Sequence, residues 1–138
     1  MRLGLDIGGT KIEAVVIDNA GEIVYRERCA TPKQRYGDFF QAVTEMIARA
    51  MQAINQPLSV GVGVPGAVDS EGLIKNSNIL VLNQQAFAQD LERALGMPVP
   101  VTNDANCFTL SEAMDGSGRG HSVVFGVILG TGCGGGLC

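Results

Sequence analysis

The sequence predicts an α/β fold built on a mixed sheet, and three observations lead there. The first thirty residues hold three apolar segments separated by glycine-containing turns. From residue 38 onward, amphipathic helical patterns alternate with short apolar runs. A glycine-rich turn follows an apolar strand near both ends of the chain. A meander followed by helix–strand alternation gives parallel strands beside antiparallel ones. The 138 residues suffice for one domain with a real core.

Residues 2–7 read as a buried strand, and 12–18 and 22–30 as two more. Asn19, Ala20 and Gly21 join the latter pair in a tight antiparallel turn. Asp38 is placed to cap a helix, with Gln41 three residues later in capping-box position. Phe40, Val43, Ile47, Ala50, Met51 and Ile54 then recur at helical spacing until Asn55 and Pro57. Residues 58–64 form a Val/Gly strand ending at Pro65-Gly66, and 67–75 a small hairpin. Phe87, Leu91, Ala94 and Leu95 mark a second helix, closed by Gly96 and Pro98. A short strand over 99–102 feeds a third helix that runs from Asn103-Asp104 to about Met114. Residues 115–120 make a flexible connector and the best boundary, so 1–119 and 120–138 are the expected units. An apolar strand over 122–129 then meets a second glycine turn. The two strand–glycine elements suggest a duplicated architecture, its second copy only begun.

Composition narrows the function. Apolar residues make up 46% and charged residues 17%, a globular composition. The net charge of -4, the lack of any Lys/Arg run and the absence of Trp argue against a nucleic-acid partner. No apolar stretch is long enough to span a bilayer. Met1-Arg2 leads into a strand and not into an apolar leader, so the cytoplasm is expected. Cys29, Cys107, Cys133 and Cys138 match no paired zinc spacing, and His121 is the single histidine. They read as free thiols in a reducing compartment.

Residues 4–11, Gly-Leu-Asp-Ile-Gly-Gly-Thr-Lys, carry the most chemistry. Gly8 and Gly9 permit positive φ and close approach of a ligand to the main chain. Successive N–H groups in such a turn cradle anions. A carboxylate at Asp6 beside a phosphate cradle makes sense when a divalent cation lies between them, and Mg²⁺ on nucleotide phosphates is the usual case. Pro65-Gly66 ends a buried strand where backbone groups meet a ligand, or merely turns the chain. Asn76, Ser77 and Asn78 offer donors and acceptors suited to vicinal hydroxyls, or form an ordinary loop. Asn103 and Asp104 stand at a strand's carboxyl end, where open α/β sheets bind ligands. A helix N-terminus there favours the ionised carboxylate, which can accept a proton from a hydroxyl. Alternatively, Asp104 is only an N-cap.

Four motifs in order then carry a resemblance: Asp-Ile-Gly-Gly-Thr-Lys at 6–11, Gly-Val-Gly-Val-Pro-Gly at 61–66, Asn-Asp-Ala-Asn-Cys at 103–107 and Leu-Gly-Thr-Gly-Cys-Gly-Gly-Gly at 129–136. Together they resemble the ROK family of bacterial sugar kinases and repressors, over the whole chain. Lys75-Asn76-Ser77-Asn78 and Leu82-Asn83 look most like its fructokinase or mannokinase members, with N-acetylglucosamine kinase and glucokinase as alternatives.

The resemblance implies the actin-like, ribonuclease H-like ATPase fold: an N-terminal lobe with a mixed five-stranded sheet, plus the first hairpin of a second lobe. It implies ATP-dependent phosphorylation of a hexose, fructose first, at its primary hydroxyl. Gly4, Asp6, Gly8, Gly9, Thr10 and Lys11 would serve the first phosphate loop, with Asp6 near Mg²⁺. Gly130, Thr131 and Gly132 would form the second. Pro65, Gly66, Asn78, Asn103 and Asp104 would hold the sugar, with Asp104 as catalytic base. Family kinases continue with a Glu-x-Gly-His element, a cysteine-rich zinc site and an adenosine pocket, whose residues this chain lacks. The chain is therefore expected to be the N-terminal part of a kinase, inactive alone and self-associating through an unpaired strand over 122–138 as a homodimer or strand-exchanged pair. A repressor is disfavoured, because no helix-turn-helix precedes residue 4 and the charge is wrong for DNA. A non-catalytic sugar-binding or scaffold domain is the remaining alternative.

Overall fold

Strand β1 (Arg2–Ile7), β2 (Lys11–Ile17) and β3 (Ile23–Ala30) form the meander that the glycine turns foretell. The computed structural model describes residues 1–129 and 133–138. Gly21 sits at φ 89° in the β2–β3 turn, a conformation that suits glycine. Helix α1 (Tyr36–Ile54) returns the chain to β4 (Ser59–Val64), which lies parallel to β1. A small hairpin, β5 (Ala67–Val68) and β6 (Ile74–Lys75), leads through a 3₁₀ turn at Leu80–Leu82 to α2 (Phe87–Leu95). Strand β7 (Val101–Asn103) pairs parallel to β4 and runs straight into α3 (Asp104–Met114). The sheet order is β3-β2-β1-β4-β7. Strands β8 (Phe125–Leu129) and β9 (Cys133–Leu137) make a separate antiparallel hairpin.

The core lies on one face of the sheet. Alternation along the strands aims Leu3, Leu5 and Ile7 of β1 and Ile12, Ala14 and Val16 of β2 into it. Helix α1 covers them with Phe39, Val43, Met46, Ile47 and Ala50. Phe39 meets Phe87 of α2 at 5.5 Å between ring centroids, tilted, a favourable aromatic arrangement. The tyrosine O–H of Tyr36 donates to Asp90 at 2.7 Å and ties α1 to α2.

That contact corrects the expected start of α1. The helix begins at Tyr36, with Arg35 at the cap position and no side-chain cap. Asp38 lies inside the first turn and pairs with Arg35 at 2.8 Å, while Gln41 donates to Glu45 instead of reaching back. Anchoring Tyr36 on α2 favours the extra turn, and Asp38 still benefits from the helix N-terminus. At the other end Asn55 adopts φ 49° and returns its N–H to Met51, ending the helix as expected.

Two further expectations change. Residues 115–120 wrap round the end of α3: Gly116 and Gly118 donate to the Glu112 carbonyl, and Ser117 to its carboxylate at 2.8 Å. The strand over 122–129 is not unpaired, because β9 supplies its partner. The hairpin lies against α3 through Gly126 and Gly136, where any Cβ would collide with Thr109. The partner whose absence motivated the expected strand exchange is thus present, while the hairpin keeps two strands only and Phe125, Val127, Leu129 and Leu137 are exposed. Among the described residues, no helix is long and apolar enough to cross a membrane.

Candidate active site

Parallel strands β1, β4 and β7 bring three sequence-predicted elements to the carboxyl-terminal end of the sheet. Asp6 is in register with Gly63, and Val64 with Asn103. A Cβ on Gly63 would stand 3.3 Å from Cys107 Sγ and 3.8 Å from the Asp104 Cα. The missing side chain therefore lets the start of α3 settle against β4. As a result Asp6 and Asp104 line one cleft of about 770 Å³, together with Gly4, Gly63, Cys107 and Ile128. That volume is in the range of small-molecule sites.

The cap of α3 is Asn103, not Asp104. Asn103 Oδ1 accepts the Ala105 N–H at 2.9 Å, and its Nδ2 donates to the Gly66 carbonyl at 2.7 Å. One N–H and one lone pair of the amide remain for a ligand. Asp104 shares the Ala105 N–H through Oδ1 at 2.8 Å and is exposed to the cleft. Asp6 feels it: desolvation against the sheet, then repulsion from Asp104 and Glu13, raise the Asp6 pKa, while Lys11 opposes the rise.

Two carboxylates that repel each other across a cleft fit a divalent cation, and Mg²⁺ is characteristically held by one or two carboxylates with phosphate oxygens and water. Asp6 suits that role. Among the described residues there is no cluster of three or more His, Cys, Asp or Glu for a protein-only metal cage, and all four cysteines are free. Burial, then Asp104 and Asp6, push the Cys107 thiol pKa up, so it stays protonated.

A stability consequence follows from the sign of the Asp6 shift. A raised carboxyl pKa means that the fold disfavours the ionised form. The penalty is absent below the ordinary value of 3.8 and complete once pH exceeds the raised native value. Asp6→Asn is therefore expected to raise the melting temperature of the ligand-free protein at pH 7, with the gain shrinking toward pH 4. Thermal unfolding across that range checks it, and an equal or lower melting temperature at pH 7 would refute it.

The first glycine loop is a tight connection in which the Gly8 N–H donates to the Lys11 carbonyl at 2.9 Å. Neither Gly8 nor Gly9 lies in the left-handed region, so positive φ is not the reason for them. At Gly8 close packing is: a Cβ there would meet the Lys11 carbonyl at 3.1 Å, whereas one on Gly9 would sit in ordinary contact with the Asn78 amide at 3.5 Å. Thr10 and Lys11 are exposed. Thr31, which the sequence reading missed, closes this loop. Its hydroxyl donates to the Gly8 carbonyl at 2.7 Å and its N–H to the Thr10 carbonyl at 3.0 Å. Its position between the end of β3 and Pro32 was the available signal.

Gly66 follows Pro65 at φ 100°, with its Cα against the β6 end of the small hairpin. Asn78 is exposed beside Gly9, so the polar cluster joins the first glycine loop. Asp69 shapes the hairpin, accepting from the Glu71 and Leu73 N–H groups at 2.9 Å each and pairing with Lys75 at 2.6 Å. The expected second loop, Gly130, Thr131 and Gly132, lies outside the described residues. Beyond it, Gly134 stands 3.6 Å from the Ala105 Cβ, as measured from its own Cβ position, so β9 passes the first turn of α3.

A mixed five-stranded sheet with this glycine hairpin and two carboxylates at its parallel strand ends defines the actin-like ATPase fold. The chain belongs to the ROK family, whose model matches residues 2–138. It is 46% identical over 138 residues to the N-acetylgalactosamine kinase AgaK of Shewanella sp. (strain ANA-3), covering 100% of this chain and 45% of the relative. It is 44% identical to the N-acetyl-D-glucosamine kinase of Haemophilus influenzae (strain 86-028NP), covering 99% and 45%. Among solved structures, it is similar to a ROK family glucokinase from Streptomyces griseus in complex with glucose and AMPPNP. That match has a TM-score of 0.84 and 34% identity, over 99% of this chain and 43% of the other. The chain thus spans about half the length of the relatives it matches. These relatives correct the preference for fructokinase: the short Lys75–Asn78 and Leu82-Asn83 segments carried less information than the whole-chain similarity to N-acetylhexosamine kinases.

Proposed function

We propose that the protein carrying this chain is an ATP-dependent kinase of N-acetylated hexosamines, acting on the primary hydroxyl, with residues 1–119 as most of one lobe and 120–138 opening a second. The observation that supports it is the meeting of Asp6 and Asp104 in one cleft at the strand ends. The sugar oxygen attacks the γ-phosphorus, the bond to the β-phosphate oxygen breaks, and ADP leaves. Asp104 takes the hydroxyl proton. Mg²⁺, when bound near Asp6, neutralises phosphate charge. Asn78, Asn103 and the Pro65-Gly66 turn orient the sugar. Gly4 lines the cleft. The Gly8–Lys11 loop, whose Gly8 N–H is already given to the Lys11 carbonyl, offers its Gly9 and Thr10 N–H groups to the phosphates. Gly130, Thr131 and Gly132 would serve as the second phosphate loop. In phosphoryl transfer positioning and charge stabilisation supply most of the rate. Four free thiols fit a reducing compartment, so the cytoplasm is the proposed location.

The test is an ADP-release assay on the full-length protein with Mg·ATP and N-acetylglucosamine, N-acetylgalactosamine, glucose or fructose. One of the acetylated sugars is expected to show kcat/KM at least about tenfold above the rest, the worth of one well-made polar contact. Preference for glucose would move the reading toward glucokinase. No sugar-dependent release would overturn it.

A further inference from the structure

Asn83 has no role in the site, yet its side chain grips both main-chain groups of one residue. Its Oδ1 accepts the Ser77 N–H at 2.9 Å, and its Nδ2 donates to the Ser77 carbonyl at 3.0 Å. A carboxamide that pairs with both groups of one residue imitates a neighbouring β-strand. Ser77 is buried, and the next residue is Asn78, exposed beside Gly9 of the first glycine loop.

The backbone around this clamp is strained. Three non-glycine residues have positive φ among those described, and one of them, Asn55, is a helix cap. The other two, Asn76 at 57° and Gln84 at 64°, immediately precede the clamped Ser77 and follow Asn83. Glutamine gains little locally from that conformation, so the surroundings must impose it. They do so with main-chain bonds: Gln84 N–H to the Ile74 carbonyl at 2.8 Å, and Ile74 N–H to the Gln85 carbonyl at 3.0 Å. Ser77 also packs closely against Gly66 on its other side. A Cβ on Gly66 would come within 2.9 Å of its nitrogen, and the Gly66 carbonyl is the one that Asn103 grips. A continuous path thus runs from Asn83 through Ser77, Gly66 and Asn103 to Asp104.

We propose that Asn83 is a positioning residue, which holds the 76–78 loop so that Asn78 faces the glycine loop and the sugar. The proposal rests on the sugar-kinase reading for its kinetic consequences, but not for its structural one. Asn83 touches no substrate. It acts on sugar binding through Asn78 and, more weakly, on the phosphate loop through the Gly9 neighbour of Asn78.

The experiment uses the full-length protein and the variants Asn83→Ala, Asn78→Ala and the double variant. Asn83→Ala is expected to raise sugar KM about tenfold, as loss of an oriented hydrogen bond does, with a clearly smaller rise in ATP KM through Gly9. In the Asn78→Ala background, the same substitution should change sugar KM by less than about twofold, because residues acting as one unit are not additive. Full additivity, or an unchanged sugar KM in Asn83→Ala, would overturn the proposal. If the alanine variant does not fold, Asn83→Ser carries the same expectation, since its side chain is too short to reach both Ser77 groups. Amide exchange read by NMR separates this from the function itself. In wild type the Ser77 amide should exchange slowly, and in the variant fast, with a shift of the Gly9 amide. An inactive wild type would sink the kinase reading and leave this readout intact. Unchanged Ser77 exchange and an unmoved Gly9 signal would sink the positioning role.

Discussion

In the full-length protein, Asp104→Asn is expected to lower kcat by about two to four decades, the usual worth of a general base. Sugar KM should change far less. The amide keeps the shape and a hydrogen-bonding group but cannot take the proton from the hydroxyl. The geometry also predicts what will not happen. Asn103 and Asp104 share the Ala105 N–H, and the asparagine amide of the variant keeps an acceptor oxygen there, so the helix does not depend on the Asp104 charge. The variant should therefore unfold at nearly the wild-type urea concentration. Steady-state kinetics with the preferred sugar, beside a urea titration, decides between roles. Near-wild-type kcat would reduce Asp104 to a residue of the first helical turn. A large loss of stability would mean that its charge does structural work beyond the shared Ala105 contact.

Much of the lobe was legible in the sequence because its signals are local. Period-two apolar residues in β1 and β2, the Asn55 and Gly96 stops, and the Pro65-Gly66 break each follow from chain chemistry at that position. What escaped depends on contacts distant in sequence. The start of α1 is set by Tyr36 reaching Asp90, fifty-four residues on. Thr31 closes a loop twenty-three residues earlier. The site was partly legible for the same reason. Asp6 and Asp104 stand at strand ends, and topology alone brings them together. The division of labour between Asn103 and Asp104 could not be read, since either residue type caps a helix. Of the two reasons expected for Gly8 and Gly9, the left-handed backbone does not hold, and at Gly8 the room is taken by the Lys11 carbonyl.

Gly66→Ala should be the most damaging single-methyl change in the lobe. At φ 100° the backbone lies in a region that side chains resist, at a cost of about 1–3 kcal/mol. The new Cβ would also stand 2.5 Å from the Lys75 carbonyl, 2.9 Å from the Ser77 nitrogen and 3.0 Å from its Cα. All three are backbone atoms, so no side chain can swing aside. The β5–β6 hairpin and the 76–78 loop must move together, adding an overpacking cost of about 1–3 kcal/mol. That movement withdraws the Gly66 carbonyl from Asn103 and Asn78 from Gly9, so sugar binding should weaken by more than about tenfold. Gly37 supplies the contrast. It lies in the first turn of α1 at ordinary φ with open space where a Cβ would go. Gly37→Ala should stabilise by about 0.5–1 kcal/mol, the helix-propensity gain. Urea denaturation of both variants and sugar titration calorimetry on Gly66→Ala test the pair. If the two variants unfold alike and bind sugar alike, the turn is tolerant, and Gly66 has no part in setting the site.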